Sequence, residues 1–369
     1  MSKKIKIAVI GSRGYPYVYS GYETFIRETF ERISNEFEVH IYCHSYLFED
    51  KPKIVNNIHL HYLPAIKTAS LCQLSQSFLS TCHAVFKGYD IILYVNTANG
   101  PFGLITKLLR IKTAIITDGL EWLRPKWSGF GSKYFYWSSK FSTKVFDVLI
   151  SDSKEMRKIY LEEFNADSVV IEYGADIKRS TKPDLIKQFN LEPNDYYLVV
   201  ARLIPDNNGD IIVKGFNQAK TCRKLVVVGD VPYPNFYSKE IKKNASDKVI
   251  FLGYVEDQKL LQELYNNSYI YIHGHEHGGT NPSLLQALAY GSAVLALDTR
   301  FNREVLDDDK YAKYFQKNAS SITAIIDELD SMSDSLITLK SISVDRINER
   351  YTWERIARKY KELFFDILS

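Results

Sequence analysis

The densest chemistry in this chain lies in one run, His273-Gly-His-Glu-His-Gly-Gly-Thr-Asn-Pro-Ser-Leu-Leu-Gln-Ala-Leu-Ala-Tyr-Gly291. Asn281 is a good N-cap, and Pro282 suits the first helical position, where a missing N–H costs nothing. Leu284, Leu285 and Leu288 give an apolar face, and Gly291 is placed to stop the helix. Gly278, Gly279 and Thr280 let backbone approach a ligand closely. The unsatisfied N–H groups and the positive end of the helix then make an anion site, and a phosphate there needs no metal. His273, His275 and His277 alternate with a metal-like spacing, but no cysteine or carboxylate cluster accompanies them. Contact of His275 with a sugar is the preferred reading, and no metal site is expected.

Four further segments carry candidates. A glycine loop runs from Gly11 to Thr24, where Gly14 and Gly21 can bring backbone N–H groups to a phosphate or sugar and Arg13 adds a charge. A helix is expected to begin near Glu23; the plain alternative is an ordinary tight turn. Thr117–Trp127 gathers Asp118, Glu121, Trp122, Arg124 and Trp127 in one loop after a strand. Asp118 can polarise a hydroxyl or stabilise positive charge on a sugar. The tryptophans stack on a sugar or meet a membrane; alternatively they are core and Arg124 pairs with Glu121. Asp152 and Tyr173 follow later strands and are candidates to face a cleft, unless Ser151 or Asp152 merely caps the next helix. Arg202 follows another strand end as a forked donor for a diphosphate, the plain alternative being a surface arginine.

The elements that must position these residues alternate between short apolar runs and helical stretches, as in parallel sheets covered by helices. Strands are expected at 5–10, 39–43, 58–63, 91–95, 113–117, 148–151 and 169–172, then at 197–201, 225–228, 249–252, 269–273 and 293–297. Helix 23–34 places Phe25, Ile26, Phe30 and Ile33 on one face, and 353–368 is strongly amphipathic. The polar stretch Lys178–Asp195 reads as a linker. The fold class is thus α/β, with two doubly wound domains binding a ligand at the carboxyl ends of their strands.

The chain has 369 residues, a size that favours two domains, with 45% hydrophobic and 25% charged residues. A net charge of +3 gives no case for nucleic acid. Cys43, Cys72, Cys82 and Cys222 are scattered, which fits a reducing cytoplasm better than a disulfide framework. No apolar run approaches the roughly 20 residues that span a bilayer.

Taken together, these motifs resemble retaining GT-B glycosyltransferases of family 4, and more closely the bacterial rhamnosyltransferase-type branch of surface polysaccharide synthesis. The resemblance rests on Gly11–Thr24, Asp118–Trp122, Arg202–Asn208 and His273–Gln286, in that order, and covers essentially the whole chain. It implies two Rossmann-like domains with an interdomain cleft. Residues 1–180 form an acceptor domain completed by helix 353–369, and residues 181–352 form a nucleotide-sugar donor domain. Arg202, Asn207, His275, Gly278, Gly279, Thr280, Asn281 and Gln286 are then donor-binding residues. Arg13, Gly14, Gly21, Glu23, Glu121 and Trp122 form an acceptor or phosphate loop. Asp118, Asp152 and Tyr173 orient acceptor and sugar.

Two departures stand out. Gly278 and Gln286 occupy the places of the paired glutamates of the broad family, and an asparagine replaces the lysine that commonly follows the arginine. An amide at 286 still hydrogen-bonds a hydroxyl but without carboxylate strength.

The implied reaction is metal-independent and cofactor-free. It moves a hexose, L-rhamnose from dTDP-rhamnose in the first instance, from a nucleotide sugar to a lipid-linked saccharide. The enzyme would be cytoplasmic, with a peripheral position on the inner face of the membrane. The basic, aromatic region Arg124–Lys144 suits anionic lipid, or is an ordinary buried helix with exposed lysines. A UDP-hexose donor, a nucleotide-sugar epimerase and a non-catalytic partner subunit are the alternatives.

Overall fold

The computed structural model describes residues 4–17, 20–68, 71–117, 119–124, 127, 129–231, 235–331 and 333–369, with side chains of 333–337 excluded. The chain divides into two compact units, residues 1–173 with 353–369, and residues 174–352.

The first unit is built on an eight-stranded sheet. Its strands are β1 (Lys6–Ile10), β2 (Glu38–His44), β3 (Ile54–Val55), β4 (Ile58–Leu63), β5 (Ile91–Val95), β6 (Lys112–Ile116), β7 (Val148–Ser151) and β8 (Val169–Val170). Their order is β3-β4-β2-β1-β5-β6-β7-β8, parallel except for the short β3–β4 hairpin. The central strands read as continuous apolar runs because helices cover both faces; all of β5, Ile-Ile-Leu-Tyr-Val, is buried. The first helix, Gly21–Ile33, starts two residues before the expected Glu23 and buries Phe25, Ile26, Phe30 and Ile33. Against it packs the last helix, Trp353–Leu368. Phe25 meets Tyr360 at 5.0 Å between ring centroids, and Phe364 meets both Phe30 at 6.3 Å and Phe37 at 5.9 Å. Such pairs add about 0.5–1.5 kcal/mol each beyond their buried area. Lys359 donates to the buried Glu172 at 2.5 Å.

The second unit restarts the pattern with β9 (Tyr196–Val200), β10 (Lys224–Val228), β11 (Val249–Gly253), β12 (Ile270–His273), β13 (Val294–Leu297) and β14 (Ala312–Phe315). These six parallel strands lie in the order β11-β10-β9-β12-β13-β14. The sequence reading has no counterpart of β3 or β14; both are short, and β14 is buried only at its two ends. The core clusters on Tyr197, Ile212, Phe216, Leu225, Ile270 and Leu295.

The stretch expected to be a linker is docked on this unit. The Glu263 carboxylate accepts from the backbone of Thr181 and Lys182 and from the Ser180 hydroxyl, and Ile186 and Leu191 are fully buried. Its polarity follows from exposure: apart from Ile186 and Leu191, which anchor it, most of its residues face solvent.

Candidate active site

Each sheet reverses its winding beside its first strand. In the second unit the reversal falls between β9 and β12, so the loops leaving those strands must lie side by side at their carboxyl ends. The β9 loop carries Arg202 to Asn208, and the β12 loop carries Gly274 to Asn281. They are knitted together. Asn207 Nδ2 donates to the Arg202 carbonyl at 2.8 Å, and His275 Nδ1 donates to Asn207 Oδ1 at 2.8 Å. Asn208, in a left-handed conformation, donates to the Gly274 carbonyl at 2.9 Å. The Glu276 N–H donates to the Asp206 carbonyl at 3.0 Å. Position 274 must be glycine, because a Cβ there would collide with the Asn207 backbone carbonyl.

This clamp changes the part assigned to Asn207. Its Nδ2 braces the Arg202 carbonyl within the β9 loop and its Oδ1 holds His275 of the β12 loop, so it positions the Arg202 backbone and His275. An amide oxygen only accepts, so His275 Nδ1 carries a proton and donates it to Asn207. His273 is fully buried below; burial lowers its pKa to about 3, so the ring is neutral, and Nδ1 meets the Tyr271 hydroxyl at 3.0 Å. Arg202 is exposed at the strand end, and Gly278, Gly279 and Thr280 are buried.

The helix Pro282–Ala289 forms as its sequence dictates. Asn281 Oδ1 accepts from the Ser283 N–H at 3.0 Å, Pro282 is the first helical residue, and Leu284, Leu285 and Leu288 are buried. Gly291 ends it with φ +76°. Gln286 lies half-buried on this helix.

Glu276 and Asn302 are functional candidates that the motif reading passed over. Burial raises the Glu276 carboxyl, but Lys317, at 2.6 Å, and His277 outweigh it and leave its pKa below the ordinary value. Glu276 stands two residues before Gly278, so fixed motif spacing skips it. Asn302 donates to the carbonyls of His275 and Leu297, at 3.1 and 2.9 Å, and buttresses the loop from a distant segment.

In the first unit the reversal lies between β1 and β5. The β1 loop needs its glycines: Gly14 has φ +123°, and a Cβ there would sit 2.7 Å from Cys43. Glu23 is buried and closes the loop. Its carboxylate accepts from the N–H groups of Arg13 and Ser20, each at 3.0 Å, and from the Ser20 hydroxyl at 2.6 Å. Glu23 is therefore a capping residue, Gly21 is the first helical residue, and Arg13 is half-buried in the loop that the carboxylate fixes. From β5, Asn96 adopts φ +74°, and its Nδ2 donates to the Tyr22 hydroxyl at 3.1 Å. Asn96 and Tyr22 are additions to the candidate set; the polar run Asn96-Thr-Ala-Asn-Gly100 after a buried strand is the signal for them.

Asp118 lies outside the described residues. Its neighbour Glu121 is buried and holds Arg124 at 3.1 Å and the Trp127 indole N–H at 2.5 Å. The pairing alternative for Glu121 is thus the one observed. Trp122 packs edge-on against Tyr136, Tyr160 and Phe164, with centroids 5.9–6.3 Å apart. Asp152 is buried at the end of β7, and the cap of the next helix is Ser153, which accepts from the Met156 N–H at 3.1 Å. Neither Ser151 nor Asp152 caps it. Tyr173 is buried with its ring 5.9 Å from Phe25.

Comparisons with known proteins fit this arrangement. Residues 181–343 match the family model "Glycosyl transferases group 1", and residues 4–176 match "Domain of unknown function (DUF1972)". The chain is 22% identical over 393 residues to an uncharacterized glycosyltransferase of Methanocaldococcus jannaschii, covering 98% of both. It is 26% identical over 174 residues to a probable sucrose-phosphate synthase of Thermosipho melanesiensis, spanning 45% of this chain and 40% of that protein. Among solved structures, sucrose-phosphate synthase from Thermosynechococcus elongatus superposes with a TM-score of 0.81 at 17% identity over 99% of each chain. Anabaena HepE in complex with UDP gives 0.77 at 16%, covering 99% of this chain and 100% of that one. The fold is GT-B, with two parallel-sheet α/β units, and the second unit carries the group 1 glycosyltransferase match.

Proposed function

We propose that this chain is a retaining, metal-independent glycosyltransferase that moves a hexose from a nucleoside diphosphate to a lipid-linked saccharide. The observation that carries the reading is the clamped pair of loops in the second unit, which brings Arg202, His275 and the capped start of the Pro282–Ala289 helix into one strand-end cluster. A guanidinium and a helix N-terminus are complementary to a diphosphate, and they stabilise the charge that grows on it as the sugar departs. His275 is a candidate partner for a sugar hydroxyl. Retention follows when a leaving phosphate oxygen takes the acceptor proton on the face from which it departs. Asp118, Asp152 and Tyr173 remain the proposed orienting groups of the first unit. Structures of HepE with UDP, with UDP and glucose, and with UDP-glucose support a nucleotide-sugar donor.

For the sugar, we favour L-rhamnose from dTDP-rhamnose over a UDP-hexose. The support is the rhamnosyltransferase-type motif order and Gln286, whose amide suits a deoxyribose that offers only its 3′-hydroxyl.

A membrane-bound acceptor is supported by helix Phe130–Val145. Its buried side is rich in serine: Ser138 and Ser139 donate to Thr97, and Ser142 is fully buried. Its exposed residues Lys133, Tyr136, Trp137, Lys140 and Lys144 recur at helical spacing. Aromatic rings between lysines on one exposed stripe match an interfacial helix. No helix among the described residues is long and apolar enough to cross a membrane.

The deciding experiment pairs a thermal-shift screen of dTDP-rhamnose, UDP-glucose and UDP-GlcNAc with an Arg202→Ala variant. The variant should keep its circular dichroism and lose transfer. Full activity would remove the diphosphate from this loop, and interconversion of a nucleotide sugar without acceptor would replace transfer by epimerisation.

A further inference from the structure

Away from both strand-end clusters, four histidines gather on one face of the first sheet. Glu38, His40 and Tyr42 alternate along β2 and project from the same face. The pairing of β2 with β4 sets His40 opposite His59 and Tyr42 opposite His61. The His40 and His59 rings stack with centroids 4.5 Å apart. His83, from helix Cys72–Ala84, joins them, with its ring 5.3 Å from His61 and its Nδ1 2.9 Å from the Tyr42 hydroxyl. Faces of parallel strands under a helix ordinarily carry aliphatic side chains. Nothing in the transfer reaction uses these imidazoles.

Their geometry suits a cation. One ligand atom from each of Glu38, His40 and His59 lies within 4.8 Å of the others. Glu38 Oε1 and His40 Nε2 are hydrogen-bonded at 3.0 Å, and an opening of a few tenths of an ångström brings them to the roughly 3.3–3.6 Å that separates two ligands about 2.0–2.2 Å from a tetrahedral zinc ion. The arrangement uses two residues at alternate positions of one strand and a third directly opposite, so the backbone ladder holds all three.

The surroundings also suit a ligand. His40 Nδ1 lies 3.0 Å from His61 Nε2, which in turn meets the Tyr89 hydroxyl at 3.2 Å. A carboxylate only accepts, so in the metal-free chain His40 Nε2 carries a proton and donates it to Glu38 Oε1. A shift of the two rings to their other tautomers, with His40 Nδ1 donating to His61 Nε2, frees His40 Nε2 for a metal and supplies the second partner that metal-bound histidines carry. A cation between Nε2 and the carboxylate replaces the hydrogen bond they share with two metal bonds. The His40 and Glu38 side chains retain 12% and 29% exposure, which gives an ion a way in. Lys6 Nζ now touches Glu38 Oε1 at 3.0 Å; it is itself partly exposed and can turn into water when the ion binds.

We infer that Glu38, His40 and His59 form a binding site for a divalent first-row transition-metal ion of the zinc class, with water completing a tetrahedron and His61 acting as a positioning residue. The site is separate from the proposed transfer chemistry and would clip β2 to β4.

The test uses the full chain, stripped with a chelator and titrated with zinc chloride by calorimetry, with cobalt(II) absorption reporting coordination geometry. One zinc per chain should bind, and the melting temperature should rise with zinc because only the folded state holds the site. His40→Gln and His59→Gln should each weaken binding at least about tenfold, and His61→Leu about 10–100-fold with the stoichiometry kept. Each variant is first melted without zinc. Glu38→Gln, nearly isosteric and at a partly exposed position, carries the same test where a histidine variant folds poorly. His277→Ala should leave uptake unchanged. Absence of uptake by the unmodified chain, uptake that survives both His40→Gln and His59→Gln, or uptake lost with His277→Ala would each overturn the assignment.

Discussion

Gln286 is the residue where one atom pair most directly sets donor affinity in the proposed reaction. It lies half-buried on the Pro282–Ala289 helix, among leucines that are fully buried. An amide bonds a sugar hydroxyl as neutral to neutral, whereas a carboxylate forms a charge-assisted bond roughly twice as strong. Gln286→Glu should therefore tighten donor binding several-fold in a calorimetric titration, and an unchanged dissociation constant would take position 286 out of the donor site. At this scale the structure reassigns several side chains. Glu23, Glu121 and Asn207 are polar residues in or beside loops that follow strands, which is what binding residues look like in a sequence. Their atoms prove to be committed to capping Ser20, to holding Arg124 and Trp127, and to joining two loops. A residue type fixes what a side chain can bond; only its neighbours fix what it does bond.

Helix Phe130–Val145 and helix Pro282–Ala289 differ in how far their sequence could be read. The second carries its own start and stop, so Asn281, Pro282 and Gly291 fall where local rules place them. The first hides its orientation, because its sequence suits either a lipid-facing stripe or a buried helix with exposed lysines. Gly100 bears on the outcome. A Cβ there would lie 2.5 Å from the Ser138 carbonyl, so the helix approaches the 97–102 segment closely along a seam of small residues. The Lys133–Trp137–Lys140 side is left outward as a result. Charge reversal at Lys133 and Lys140 should release the protein from anionic liposomes, at about 1 kcal/mol per cation removed from the surface. Equal sedimentation of variant and parent with the vesicles would dismiss the lipid-facing role.

Across the molecule, each unit buries a histidine that has no carboxylate partner among the described residues. Burial, and secondarily Arg13, lowers His44 to about 4, and burial alone lowers His273 to about 3. The unfolded chain takes up these protons near pH 6.5. Below that value the unfolded state binds more protons than the folded one, so stability rises with pH through the interval from about 4 to 6.5 and is fully present above it. Thermal midpoints should fall between about pH 7 and pH 5, and less steeply for His273→Gln; parallel profiles for variant and parent would exclude His273 as a contributor. The sequence by itself determined the two runs of alternating strand and helix, the apolar central strands, the glycine loops and the capped helix after β12. Those depend on local periodicity and local backbone geometry, which neighbouring residues specify. Tertiary structure decided that the polar 178–195 stretch docks against Glu263, and that Asn302 buttresses the His275 loop. It also set Asn96 beside Tyr22 and gathered four histidines from two strands and a helix. Those facts depend on strand order and on contacts between residues far apart in the chain, and strand order follows from how whole faces pack, which no short window of sequence contains.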